Sequence, residues 1–262
     1  MRRYPRPLVQ HCRMTDQVLL VQWPIGPDYD DWVGEGGAGA DDVGAWVAFK
    51  LKSATFHIDT LEAVGETGGF SRLAGIEMAL DSSLAALCGA FDASVAGIIR
   101  SAERYFAQGG QSNMPWRPIP AHKYTWAQCK APVLEYLLDG SLNYDISGMI
   151  DDVDLALEKR DMHPLGWLTE LQRLRNRTVH QQSLARHIDA QVGGTANTVA
   201  YTLTVGRHVD GNGEVVNPGR PEHPVTYLRD VHVRLTDLTE KTVGLVRHIC
   251  PHGVPVHRPE PE

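Results

Sequence analysis

The stretch from Phe70 to Phe106 constrains the fold most. Leu73, Ile76, Leu80, Leu84, Leu87, Phe91, Val95 and Ile98 recur there at three- and four-residue steps, with no proline to interrupt them. One unbroken helix over this span would be roughly 50 Å long at 1.5 Å per residue. A helix of that length needs neighbours along its whole stripe, so the chain has to build a helical bundle around it. The flanking segments supply them. Val43, Trp46, Val47, Leu51, Ala54, Ile58 and Leu61 predict a helix from about Asp41 to Val64, ended by Gly65 and the ETGG that follows. Ile146, Met149, Ile150, Val153 and Leu157 predict another from Asp145 to Arg160. A helix starting near Trp167 buries Leu168, Leu171 and Leu174 and is expected to run toward Ile188. A last one, from about Tyr227 to His248, uses Leu228, Val231, Leu235, Leu238, Thr242 and Leu245.

The remaining segments break the helical period. TVAYTLTV alternates Val199, Tyr201, Leu203 and Val205 with smaller residues, and the DGNG and EVV after it read as a β-hairpin. A short strand is a candidate at Val18 to Trp23, and a short helix at Ala131 to Leu138. The expected architecture is mainly α, an up-and-down helical bundle with a small β-hairpin before its last helix. Residues 1–40 form an irregular N-terminal segment, 41–250 the bundle domain, and 251–262 a proline-rich tail.

Composition narrows the chemistry. A net charge of −7 argues against nucleic-acid binding over the whole surface, while leaving room for a local basic patch. Cys12, Cys88, Cys129 and Cys250 form no CxxC pair, so reduced thiols and a cytoplasmic location are expected. The apolar run VLLVQW is too short to span a bilayer, and no membrane role is expected.

Several motifs lead nowhere. Gly34, Gly36 and Gly39 spell GxGxxG, but DYDDW precedes them where a dinucleotide fold needs an apolar strand, and Asp41 and Asp42 stand where phosphate would sit. His248, Cys250, His252 and His257 could alternate as zinc ligands, yet Pro251 and the polar tail read more simply as a solvated end. No HExxH, P-loop or GxSxG is present, so neither metal nor cofactor is expected.

What stands out is LRNRTVH. Arg-x4-His spacing recurs at Arg6, Arg117, Arg175 and Arg247, but three of the four pairs enclose a proline. Only Arg175 to His180 lies in an uninterrupted helical pattern, and only there does an asparagine, Asn176, follow the arginine. On a helix Asn176 and His180 share a face with Arg173, Arg177 and His187, while Arg175 lies one residue round. From Leu171 to Ile188 there are arginines and histidines and no Asp or Glu, a cationic strip in an acidic protein.

This motif and layout resemble the HEPN domains, whose hallmark is an R-N-x-x-x-H type motif on one helix of an up-and-down bundle. The resemblance is close over the motif helix and extends over about Asp41 to His248. It implies a metal-independent endoribonuclease acting as a homodimer, with both motif helices lining one cleft. Arg175, Asn176 and His180 would be catalytic, and Arg173, Arg177, Arg186 and His187 would hold RNA. One subfamily carries a Tyr two residues after the His; Gln182 stands there here, so that subfamily's chemistry does not transfer.

Residue chemistry agrees with this reading. Histidine can take a proton from a 2′-OH near neutral pH. A planar guanidinium can meet the charge growing on the phosphorane with two parallel hydrogen bonds. The expected products are a 2′,3′-cyclic phosphate and a 5′-OH. A toxin or defence setting, with an antitoxin or effector protein as partner, is carried alongside. Other family members keep the fold without nuclease activity, so the alternatives are a non-catalytic bundle binding RNA, nucleotide or protein through the same strip, and a purely structural helical protein.

Overall fold

The computed structural model describes residues 43–66, 70–107, 124–130, 144–158, 166–179, 186–190, 199–209 and 214–250. The candidate strand at Val18 to Trp23, the glycine motif, the candidate helix at Ala131 to Leu138 and the C-terminal tail lie outside them.

The long periodic stretch forms one helix. After α1 (Val43–Glu66) comes α2 (Phe70–Ala107), 38 residues and thus about 57 Å long. The two run antiparallel, as their close contacts show. A Cβ placed on Gly97, late in α2, would lie 2.4 Å from Val43 at the start of α1, and one on Gly75 would lie 2.9 Å from Val64 near its end. Glycine at both ends lets the helices approach closely along their whole length.

The centre of α2 is buried on several sides, with Leu80, Leu84, Leu87, Ile98 and Ile99 fully enclosed. α2 is long and apolar enough to cross a membrane by length and composition, but two-thirds of that window, 67 %, is buried inside the fold. Its buried serines do not disturb the core, because Ser83, Ser94 and Ser101 each donate to a backbone carbonyl one turn back.

The shorter helices dress this spine. α3 (Trp126–Cys129) is capped by Thr125 and tied to α4 (Ile146–Ala156) by Trp126 Nε1, which donates to Asp154 at 2.9 Å, and by a Lys130–Asp154 ion pair. α4 starts on Asp145, whose carboxylate accepts from Gly148 N. The next helix, α5 (Trp167–Val179), packs its Leu168, Leu171 and Leu174 stripe toward α2. The last helix, α6 (Pro224–Ile249), opens on a proline, where a missing N–H costs nothing. It lies on α1 and α2, buries Leu228, Leu235 and Leu245, and clamps α1 through Arg229, which reaches both Asp59 and Glu62.

Between α5 and α6 the strands form a bent antiparallel hairpin with one addition. β1 (Arg186–Ala190), β2 (Val199–Val205) and β5 (Arg220–Glu222) make a three-stranded sheet in the order β1-β2-β5, while β3 (His208–Val209) pairs with β4 (Val215–Asn217). One arm bends at Gly206 and Arg207, the other at Pro218 and Gly219. Gly219 has φ of +76°, and a Cβ there would lie 2.7 Å from the Val205 carbonyl, so the bend needs glycine.

The mainly α class and the hairpin before the last helix therefore match the sequence reading. One element does not. α5 ends at Val179, and residues 186–188, expected on the same helix, belong to β1, with Arg186 opposite Leu203, His187 opposite Thr202 and Ile188 opposite Tyr201. The physical reason is that β2 has two hydrogen-bonding edges and β5 covers only one. β1 satisfies the other edge.

Candidate functional site

The second half of α5 carries the motif. Its leucines face the core, which leaves Arg173, Arg175, Asn176 and Arg177 on the sides and outer face. Asn176 is exposed, and its side-chain oxygen accepts a hydrogen bond from Arg175 Nη1 at 3.3 Å. His180 lies outside the described residues.

The strip divides in two. Arg175 leans toward α2, where its charge acts on Asp92 and Cys88. Burial raises the Asp92 carboxyl above its ordinary range, and Arg175 draws it part of the way back. The Cys88 thiol is pushed up to about 12 by burial first, with Asp92 adding and Arg175 opposing, so it is no nucleophile.

Arg173 and Arg177 face the other way, toward the bend between β2 and β3. The Arg177 guanidinium is depressed from its ordinary value by burial, then by the charges of Arg173 and Arg207, with Glu170 opposing. Arg173 and Arg177, one helical turn apart, and Arg207 thus bring positive charge to one side of α5, with Glu170 offsetting part of it.

Glu170 anchors this cluster. It is 5 % exposed and is the one charged side chain buried among the described residues. Its Oε1 accepts the Gly206 backbone N–H at 2.9 Å, and its Oε2 lies 3.6 Å from Arg173 Nη1. Tyr227 of α6 completes the group, its hydroxyl held neutral by burial, with Glu170, Cys88 and Asp230 adding to the effect and Arg234 opposing.

Arg173, Arg175, Asn176 and Arg177, expected on one helix, all lie on α5. Arg186 and His187 sit on β1 instead, and their place on the motif helix face is corrected. Arg207, Glu170, Tyr227 and Asp92 were missed. Glu170 alone left a local trace, as an acid in the first turn of the helix three residues before Arg173.

Of the zinc candidates, His248 packs its ring against Tyr144, and Cys250 donates weakly to the Ser101 carbonyl. His252 and His257 are not among the described residues, and within those residues no three metal-ligating side chains converge. No family model, curated protein or solved structure matches the chain.

Proposed function

We propose that the chain binds RNA along the second half of α5 and cleaves it as a metal-independent endoribonuclease of the HEPN type. The observation that carries this reading is the placing of Arg173, Arg175, Asn176 and Arg177 together on the second half of α5, with Arg207 of the hairpin bend adding its charge beside Arg177. In the proposed reaction His180 takes the proton from a 2′-OH, whose oxygen attacks the adjacent phosphorus. The P–O5′ bond then breaks, and the 5′-oxygen leaves as it takes a proton from the His180 imidazolium or from water. Arg175, steadied by Asn176, stabilises the phosphorane. A second copy of α5 across a two-fold axis would supply the opposite wall of the cleft.

The test is cleavage of labelled single-stranded and structured RNA in EDTA by the wild type, Arg175→Ala and His180→Ala. Cyclic-phosphate products from the wild type, and at least a hundredfold loss in both folded variants, are expected. Products with 3′-OH ends, or a strict need for Mg²⁺, would overturn the mechanism.

A second reading is a non-catalytic bundle that binds RNA, nucleotide or a partner protein through the same strip. The Arg175 contact to Asn176 and the nearby Asp92 charge favour it, because they already engage the guanidinium that a phosphorane would need. RNA binding without cleavage in the same assay would select it.

A further inference from the structure

Beside the arginine cluster a cleft of about 920 Å³ opens between the start of α5, the meeting of β2 with β5, and the first turns of α6. This volume suits a small-molecule site. Trp167 and Tyr227 give it aromatic walls, and Val205 and Val231 apolar ones. Two of its acids are paired, Asp230 with Arg234 at 3.0 Å and Glu222 with Arg220 at 2.8 Å. The charges of these four side chains offset one another and are not the basis of recognition here. Hydrogen bonding is.

Glu170 lines the cleft and is almost fully buried, and its Oε2 has no hydrogen bond among the described residues, only the 3.6 Å ion pair with Arg173 Nη1. The hydroxyl of Tyr227, which also lines the cleft, has no hydrogen-bond partner among the described residues. These atoms were taken out of water when the chain folded. A ligand that supplies their partners gains the bonds without a second desolvation of the protein. The set comprises a carboxylate acceptor beside a hydroxyl and a guanidinium N–H. Its complement is a flat edge bearing an N–H next to an acceptor, the edge that a nucleobase presents. Aromatic walls suit the faces of such a ring. Glu170 and Arg177 are seven residues apart on α5, about 10 Å along the helix, so one ligand can span the cleft and the arginine cluster.

We infer that this cleft seats a base of the RNA substrate, its N–H on Glu170 and its neighbouring acceptor on the Tyr227 hydroxyl, with the attached phosphates on Arg173, Arg177 and Arg207. The inference rests on the RNA reading given above and adds a base-reading subsite to it.

The test is calorimetric titration of the full chain, without metal, with the four ribonucleoside monophosphates and with ribose 5-phosphate. The wild type should bind at least one nucleotide tenfold or more tightly than ribose 5-phosphate. Tyr227→Phe should lose about fivefold to tenfold of that margin and still melt at or above the wild-type temperature, since no hydrogen bond within the described fold is removed. Glu170→Gln should lose more. Equal binding of ribose 5-phosphate and every nucleotide, or an unchanged margin in Tyr227→Phe, overturns the inference. RNA cleavage in EDTA with no such margin removes this subsite alone. A margin that Tyr227→Phe abolishes, in a chain that leaves RNA intact, removes the cleavage reading and keeps the subsite.

Discussion

The sheaf of α1, α2 and α6 and the corner where α5 meets the bent hairpin treat their buried hydroxyls in opposite ways. In the sheaf, the fully buried hydroxyls of Ser83, Ser94, Ser101, Thr239 and Thr242 all donate to carbonyls of their own helix one turn back. At the corner the Tyr227 hydroxyl has no such bond among the described residues, and the Glu170 carboxylate meets Arg173 only at 3.6 Å. An unbonded buried hydroxyl costs about 1–3 kcal/mol relative to a bonded one. The hydroxyls of the sheaf add to stability, and the phenol at the corner detracts from it.

Breaking the sheaf should have the largest effect. Leu84 is fully enclosed at the middle of α2, and Leu84→Ala should lower the unfolding free energy by about 3 kcal/mol in urea titration. A loss under 1 kcal/mol would mean that the sheaf is not the stabilising region. The hairpin bend should come next. Gly219→Ala forces a side chain into a left-handed backbone and against the Val205 carbonyl, and a loss of about 2 kcal/mol is expected by the same titration. A neutral result would show that the bend can relax.

The smallest effects are electrostatic, and they differ in sign between two aspartates. Burial alone would raise Asp154, but hydrogen bonds from Lys130 and Trp126, with the Lys130 charge, outweigh it and leave the carboxyl below its ordinary value. Its contribution is present above the unfolded value of about 3.9 and is lost as pH falls through the folded one. Asp154→Asn should therefore cost something at pH 7, well under about 1 kcal/mol because the pair is partly solvated, with the gap to wild type closing below pH 4. Asp92 is raised, so its contribution is present at low pH and lost as pH rises through the folded value. Asp92→Asn should be neutral near pH 3 and gain only slightly relative to wild type above it, because Asp92 is solvent-exposed. Thermal melts across pH 3 to 7 decide both, and parallel curves for the two variants would refute the contrast.

The helices were legible in the sequence because their cause is local. Three- and four-residue spacing placed both ends of α2 within a residue, and the starts of α1, α4, α5 and α6 within three. The end of α5 was not legible. Leu184 and Ile188 extend the apolar count past Val179, and the ladder that claims residues 186–190 comes from β2, nine to seventeen residues further on. The site divides along the same line. Arg173, Arg175, Asn176 and Arg177 share one helix and could be read together, whereas Arg207, Tyr227 and Asp92 reach it only through packing of distant segments.

A single residue, His223, separates β5 from α6. Each residue inserted there would turn the 26-residue helix by about 100°, swinging Leu228, Leu235 and Leu245 away from the core together. The joint therefore fixes the length of the chain at this point. Sequences that drift apart while keeping this architecture should accumulate almost no insertions or deletions at the root of the hairpin.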